Sequence, residues 1–173
     1  MEIEQLKYPI GKYKHPDFVT ASMRHDWINR IAALPQKLEA VVQSKTEAQL
    51  DTPYRPGGWT VRQVVHHLAD SHLNAHCRIR LALTEDHPTI KPYDQDKWAV
   101  LEDVKKLPVW PSLHILQGLH ARWAFLLNSL DELHFQREFV HPEYGKTYTI
   151  DWMTGLYAWH GEHHLAQIAN LKE

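Results

Sequence analysis

The sequence predicts an all-α fold, a four-helix bundle, on three observations. Four segments place apolar residues at helical spacing. Cap residues stand ahead of two of them. The length of 173 residues suits one compact domain, 1–173, without internal repeat, low-complexity tract or linker.

The first helix is expected over roughly Ser22 to Ser44, with Met23, Trp27, Leu34, Leu38 and Val41 at steps of three, four and seven. Pro35 lies inside it and predicts a kink or a split. The second follows the turn Gly57-Gly58-Trp59, takes Thr60 as N-cap and continues to about Glu85. The third follows Pro111 with Ser112 as its cap, and aligns Leu116, Leu119, Trp123, Leu126, Leu127 and Leu130. The fourth begins near Thr149 and runs almost to the C-terminus. Its apolar stripe holds Ile150, Met153, Leu156, Tyr157, Ile168 and Leu171.

Two connections carry information. About 25 residues from His87 to Pro111 separate helices two and three, with one short helix expected around Asp96 to Val104, and connections of that length are often functional. Between helices three and four, REFVHPEYGKTYTI predicts a small β-hairpin about a Pro/Gly turn.

Composition narrows the function classes. A net charge of −2 offers no basic excess for nucleic acid or an anionic membrane. No run approaches the roughly 20 apolar residues that span a bilayer. One cysteine, Cys77, allows no internal disulfide, and the opening MEIEQLKYPIGKYKHP has no apolar run of signal-peptide length, so a cytoplasmic protein is expected. Fourteen histidines in this length raise the question of a metal, since imidazole is the commonest metal ligand.

In the fourth helix, His160 and His164 flank the centre of the apolar stripe, one turn apart. Two imidazoles at that spacing can share one ion, as in helical zinc sites. The bland alternative is a pair of hydrogen-bonded core histidines, but each buried ring needs partners for two nitrogens. The second helix offers His66, His67, His72 and His76. Periodicity puts His72 near the centre of its stripe, and His67 on a polar flank with Ser71, Asn74 and Arg78 that suits a cavity wall. Helix geometry leaves the choice of third ligand open between them.

These segments resemble the DinB/YfiT-like superfamily of metal-binding four-helix bundles, closest to its YfiT-type members. The points of resemblance are YPIGKY, LDTPYRPGGWTVRQVVHHLADSH, IKPYDQDKW, LHARW and GLYAWHGEHHLAQI, in order along nearly the whole chain. The resemblance implies three metal ligands: His67, which directly precedes a leucine, and His160 and His164 as H-x-x-x-H. It also implies a homodimer and metal-dependent hydrolysis, with bacillithiol- or mycothiol-using transferases and isomerases among the relatives.

Three neutral imidazoles would leave a tetrahedral zinc one open position, the catalytic arrangement. Water there would titrate near about pH 7 and could attack an amide or ester of a small-molecule substrate, and nickel could take the same site. The open position also suits a thiolate, which makes a thiol S-transferase the enzymatic alternative. A metal-binding protein without catalysis is the third reading, and predicts a fourth protein ligand. No general base stands out: Glu162 projects from the wrong face, Asp70 lies on a polar side, and no H-E-x-x-H occurs. The catalytic acid or base is therefore unknown. His120 and Arg122 are candidates for the site mouth or, equally, for a solvated or core-flank place, and Trp59 for the core.

Overall fold

The computed structural model describes residues 3–171, so the first two and last two residues of the expected domain lie outside it. Its elements, in order, begin with α1 (Ile3–Lys7), α2 (Ala21–Val42), α3 (Glu47–Leu50) and α4 (Val61–Thr84). There follow α5 (Gln95–Trp98), α6 (Glu102–Lys106), α7 (Trp110–Asn128), α8 (Glu132–Phe135), β1 (Glu138–His141), β2 (Lys146–Thr149) and α9 (Ile150–Ala169). The four long helices form the bundle. Helix α2 packs on α7 and α9, and α4 packs on the same two. Consecutive helices α2 and α4 therefore stand across a diagonal, unlike a simple up-down bundle.

Local chemistry sets the ends of these helices. Thr60 caps α4 in a reciprocal box with Gln63, and Thr149 caps α9 by accepting from the Trp152 amide. For α7 the expected cap is corrected. The helix starts at Trp110 with Pro111 in its first turn, so Ser112 sits inside it. Proline lacks the N–H that the first turn leaves unpaired anyway. The hydroxyl of Ser112 meets His66 Nδ1 at 2.7 Å instead. The hairpin forms as expected, pairing Glu138 with Thr149 through His141 with Lys146. The long connection holds two short helices, α5 and α6, rather than one.

Pro35 does not split α2, which runs unbroken with Pro35 buried in it. The proline deprives the Ile31 carbonyl of its helical donor. His120 on α7 supplies a replacement, its Nδ1 lying 2.6 Å from that oxygen.

The bundle interior divides into two apolar clusters. One gathers Ile31, Ala75, Ile79, Trp123, Met153 and Tyr157 with the hairpin's Phe139. The other gathers Leu38, Val65, Leu68, Leu113, Leu116 and Ile168. On α4, α7 and α9 the residues between these clusters include His72, His120, His160 and His164. Gly161 lets α9 close on α2 at this level, since a Cβ there would collide with the Leu34 side chain. Among the described residues no helix is long and apolar enough to cross a membrane.

Candidate metal centre

His67, His160 and His164 converge, with one ring nitrogen from each lying within 4.8 Å of the others. His67 comes from the first half of α4, and the other two from successive turns of α9. The Nε2 atoms of His67 and His160 stand 3.4 Å apart. Two imidazoles on one tetrahedral ion, with bonds of about 2.0–2.1 Å, hold their nitrogens roughly 3.4 Å apart. Burial lowers the pKa of all three, His67 to about 4 and the other two well below the usual histidine value. They are neutral at pH 7, and their lone pairs are available to a cation.

The hydrogen bonds behind His160 decide which nitrogen carries its proton. The Ile31 carbonyl can only accept, so His120 donates from Nδ1 and accepts at Nε2. His72 Nδ1 lies 2.9 Å from that Nε2 and must donate to it. His72 Nε2 then accepts from His160 Nδ1 at 3.1 Å. Three imidazoles thus line up with one polarity, and the last presents an unprotonated Nε2 beside His67. His72 and His120 are fully buried and stack at 4.9 Å with 15° between their planes.

His164 is fixed by a shorter route. Its Nδ1 donates to Gln167 Oε1 at 2.8 Å, and the Gln167 amide nitrogen donates to the Lys7 carbonyl at 2.9 Å. The same nitrogen lies 3.0 Å from His163 Nε2, which accepts. That carbonyl sets the amide orientation, which leaves the His164 Nε2 lone pair free. Trp59 packs its ring 4.8 Å from His67. Such partners of the distal nitrogen are what fix ring orientation in histidine metal sites. The residues present fit one divalent ion.

Of the four α4 histidines, only His67 joins the cluster. His72 reaches it through His160, and His66 is held by Ser112 and the Leu107 carbonyl. Of the places open to His120, the structure takes the core and not the mouth, with the ring fully buried. Sequence spacing could not pair a residue on α7 with the Ile31 carbonyl, although Pro35 marks that carbonyl as needing a donor. Glu162 points away as expected, bonded to Arg30 at 2.5 Å.

Two cavities meet at His160. One of about 630 Å³ is lined by Ser71, Arg78, Tyr93, His141 and Tyr157 among others. The second, of about 460 Å³, holds His67, His164, Trp59 and Tyr54. Gln95 and Asp96, from the long connection, border both. Tyr157 meets Ser71 at 3.1 Å between their hydroxyl oxygens, and burial raises its pKa.

Comparison with known proteins agrees with this architecture. The family model of the DinB superfamily matches residues 30–168. The chain belongs to the DinB superfamily. YfiT of Bacillus subtilis, named for metal-dependent hydrolysis, is 48% identical over 166 residues, covering 96% of this chain and 93% of that protein. A Bacillus mycoides protein similarly named is 49% identical over 171 residues, covering 99% and 98%. The solved structure of YfiT, described as having an unusual four-helix bundle topology, superposes with a TM-score of 0.94 at 47% identity, covering 96% of this chain and 95% of that one.

Proposed function

We propose that this protein is a metal-dependent hydrolase of small molecules, with one zinc ion held by Nε2 of His67, His160 and His164. The observation that carries the reading is the convergence of three neutral imidazoles where two cavities meet. A zinc ion held by these three residues would supply Lewis acidity and would lower the pKa of water toward neutrality. The chain's own residues do the rest. His72 holds the proton on His160 Nδ1, and Gln167 accepts the one on His164 Nδ1. Tyr157, kept protonated by burial, can donate a hydrogen bond to a substrate oxygen in the larger cavity.

A thiol S-transferase is the second reading, and the paired cavities favour it. Two reactants need two places beside one centre, whereas hydrolysis needs one organic substrate and water. Glu162, the carboxylate beside His163 in sequence, is occupied by Arg30, so no base for water activation is supplied there.

Turnover of an activated ester and of a chlorinated aromatic electrophile, each with and without bacillithiol, separates the two. Metal-dependent ester cleavage without thiol supports hydrolysis. Turnover that requires the thiol rejects hydrolysis as the main activity.

A further inference from the structure

Three arginines of the described residues are nine-tenths or more buried: Arg24, Arg62 and Arg78. Two are neutralised by paired carboxylates. Arg24 binds Asp151 and Glu132, and Arg62 binds Asp51 and Glu47. Arg78 has no carboxylate within ion-pair distance among the described residues. It makes one bond, Nη2 to the Lys91 carbonyl at 3.3 Å, and its buried Nε has no partner. A buried guanidinium without a counter-charge is costly unless something else supplies one.

Arg78 lines the larger cavity, and so does a second orphaned polar atom. His141 is 8% exposed, and its Nδ1 is buried with no hydrogen bond. The ring stacks on Tyr144 at 4.5 Å, which fixes its plane. Arg78 and His141 thus line one and the same cavity. Part of the remaining wall is aromatic, with Tyr93, Phe139, Tyr148 and Trp152. The acids that border this cavity, Asp94, Asp96 and Glu143, are exposed at its rim, and Asp94 is already bound to Lys97.

Placement along α4 relates this pair to the metal centre. Arg78 follows His67 by three turns, about 16 Å along the axis and within about 20° on the same face. Ser71, between them on that face, also lines the larger cavity.

We propose that Arg78 and His141 form a subsite for a carboxylate group of the substrate, with the substrate's apolar body on the aromatic wall. A planar carboxylate matches the guanidinium fork and can take a second hydrogen bond from the imidazole. The proposal rests on the hydrolase or transferase reading only in placing the reacting bond toward His160.

Calorimetric titration of the metal-loaded protein with benzoate and with benzyl alcohol tests the subsite. Benzoate is expected to bind about tenfold tighter or more. Arg78→Gln, which can keep a bond to the Lys91 carbonyl, is expected to abolish that preference without changing metal content or unfolding temperature. Arg78→Lys is expected to retain part of it. In His160→Ala the preference should persist although the metal is lost. Equal binding of the two probes, or no benzoate saturation at millimolar concentration, overturns the subsite. Survival of the preference in both Arg78 variants, with its loss in His160→Ala, places the carboxylate on the metal. That outcome rejects the subsite and leaves the metal reading standing.

Discussion

The two imidazoles that α9 offers to the proposed metal centre are anchored in different parts of the molecule. His160 is tied inward through His72 and His120 to a backbone carbonyl of α2, in a layer closed off by both apolar clusters. His164 is tied outward through Gln167 to the carbonyl of Lys7, at the end of α1. The inner arm links all four long helices, and its partners cannot move without disturbing the core. The outer arm depends on one glutamine and a short N-terminal helix. Low dielectric strengthens the inner bonds and makes any broken one expensive. The centre therefore has a rigid side and an adjustable side.

The largest expected consequence is an acid-sensitive inner arm. Burial holds the His120 pKa at about 4, against about 6.5 in the unfolded chain. Between these values the unfolded state binds the extra proton, so stability is complete above about pH 6.5 and falls as pH drops toward 4. For His120 alone the loss is on the order of 3 kcal/mol. Denaturant unfolding of the metal-free protein should show this slope, to which the other buried histidines add, and His120→Gln should make it shallower. An unchanged slope would separate His120 from the acid response.

Metal affinity distinguishes the arms next. His72→Phe keeps an aromatic ring but removes the acceptor for His160 Nδ1, and should weaken zinc binding by about 100-fold. Gln167→Ala should weaken it by about tenfold, since water can reach His164 from the neighbouring cavity. Competition with a chromogenic chelator measures both. The reverse order would make the outer arm the rigid one.

A smaller effect isolates the origin of the inner arm. His120→Phe leaves the Ile31 carbonyl without its donor, a cost of about 1–3 kcal/mol. Pro35→Ala restores an amide N–H that can reach the same oxygen along the helix. The penalty of His120→Phe should therefore shrink in the Pro35→Ala background, as a double-mutant cycle of unfolding free energies would record. Additive effects would show that the proline and the histidine are unrelated.

The same contrast explains what the sequence made legible. Period and caps located the bundle helices, because Thr60 and Thr149 act within one turn of their own chain. His160 and His164 were readable for the same reason, being one turn apart on one stripe. Periodicity leaves the choice between His67 and His72 open, because both rings meet His160 and only the packed fold sets His67 at its Nε2 and His72 at its Nδ1. The resemblance chose His67, and the geometry places it in the cluster. The inner arm was illegible because its links join residues 88, 48 and 89 positions apart, and no local rule connects them. Arg78 was visible on the polar flank of α4, but its lack of a carboxylate is a property of the packed fold.

Metal analysis of the purified protein and of its His67→Ala, His160→Ala and His164→Ala variants tests the central claim most directly. The account predicts about one divalent ion per chain in the parent protein, with zinc bound at open coordination. It predicts background metal in each variant, with the helical fold retained by circular dichroism. Full metal retention in all three folded variants would contradict it.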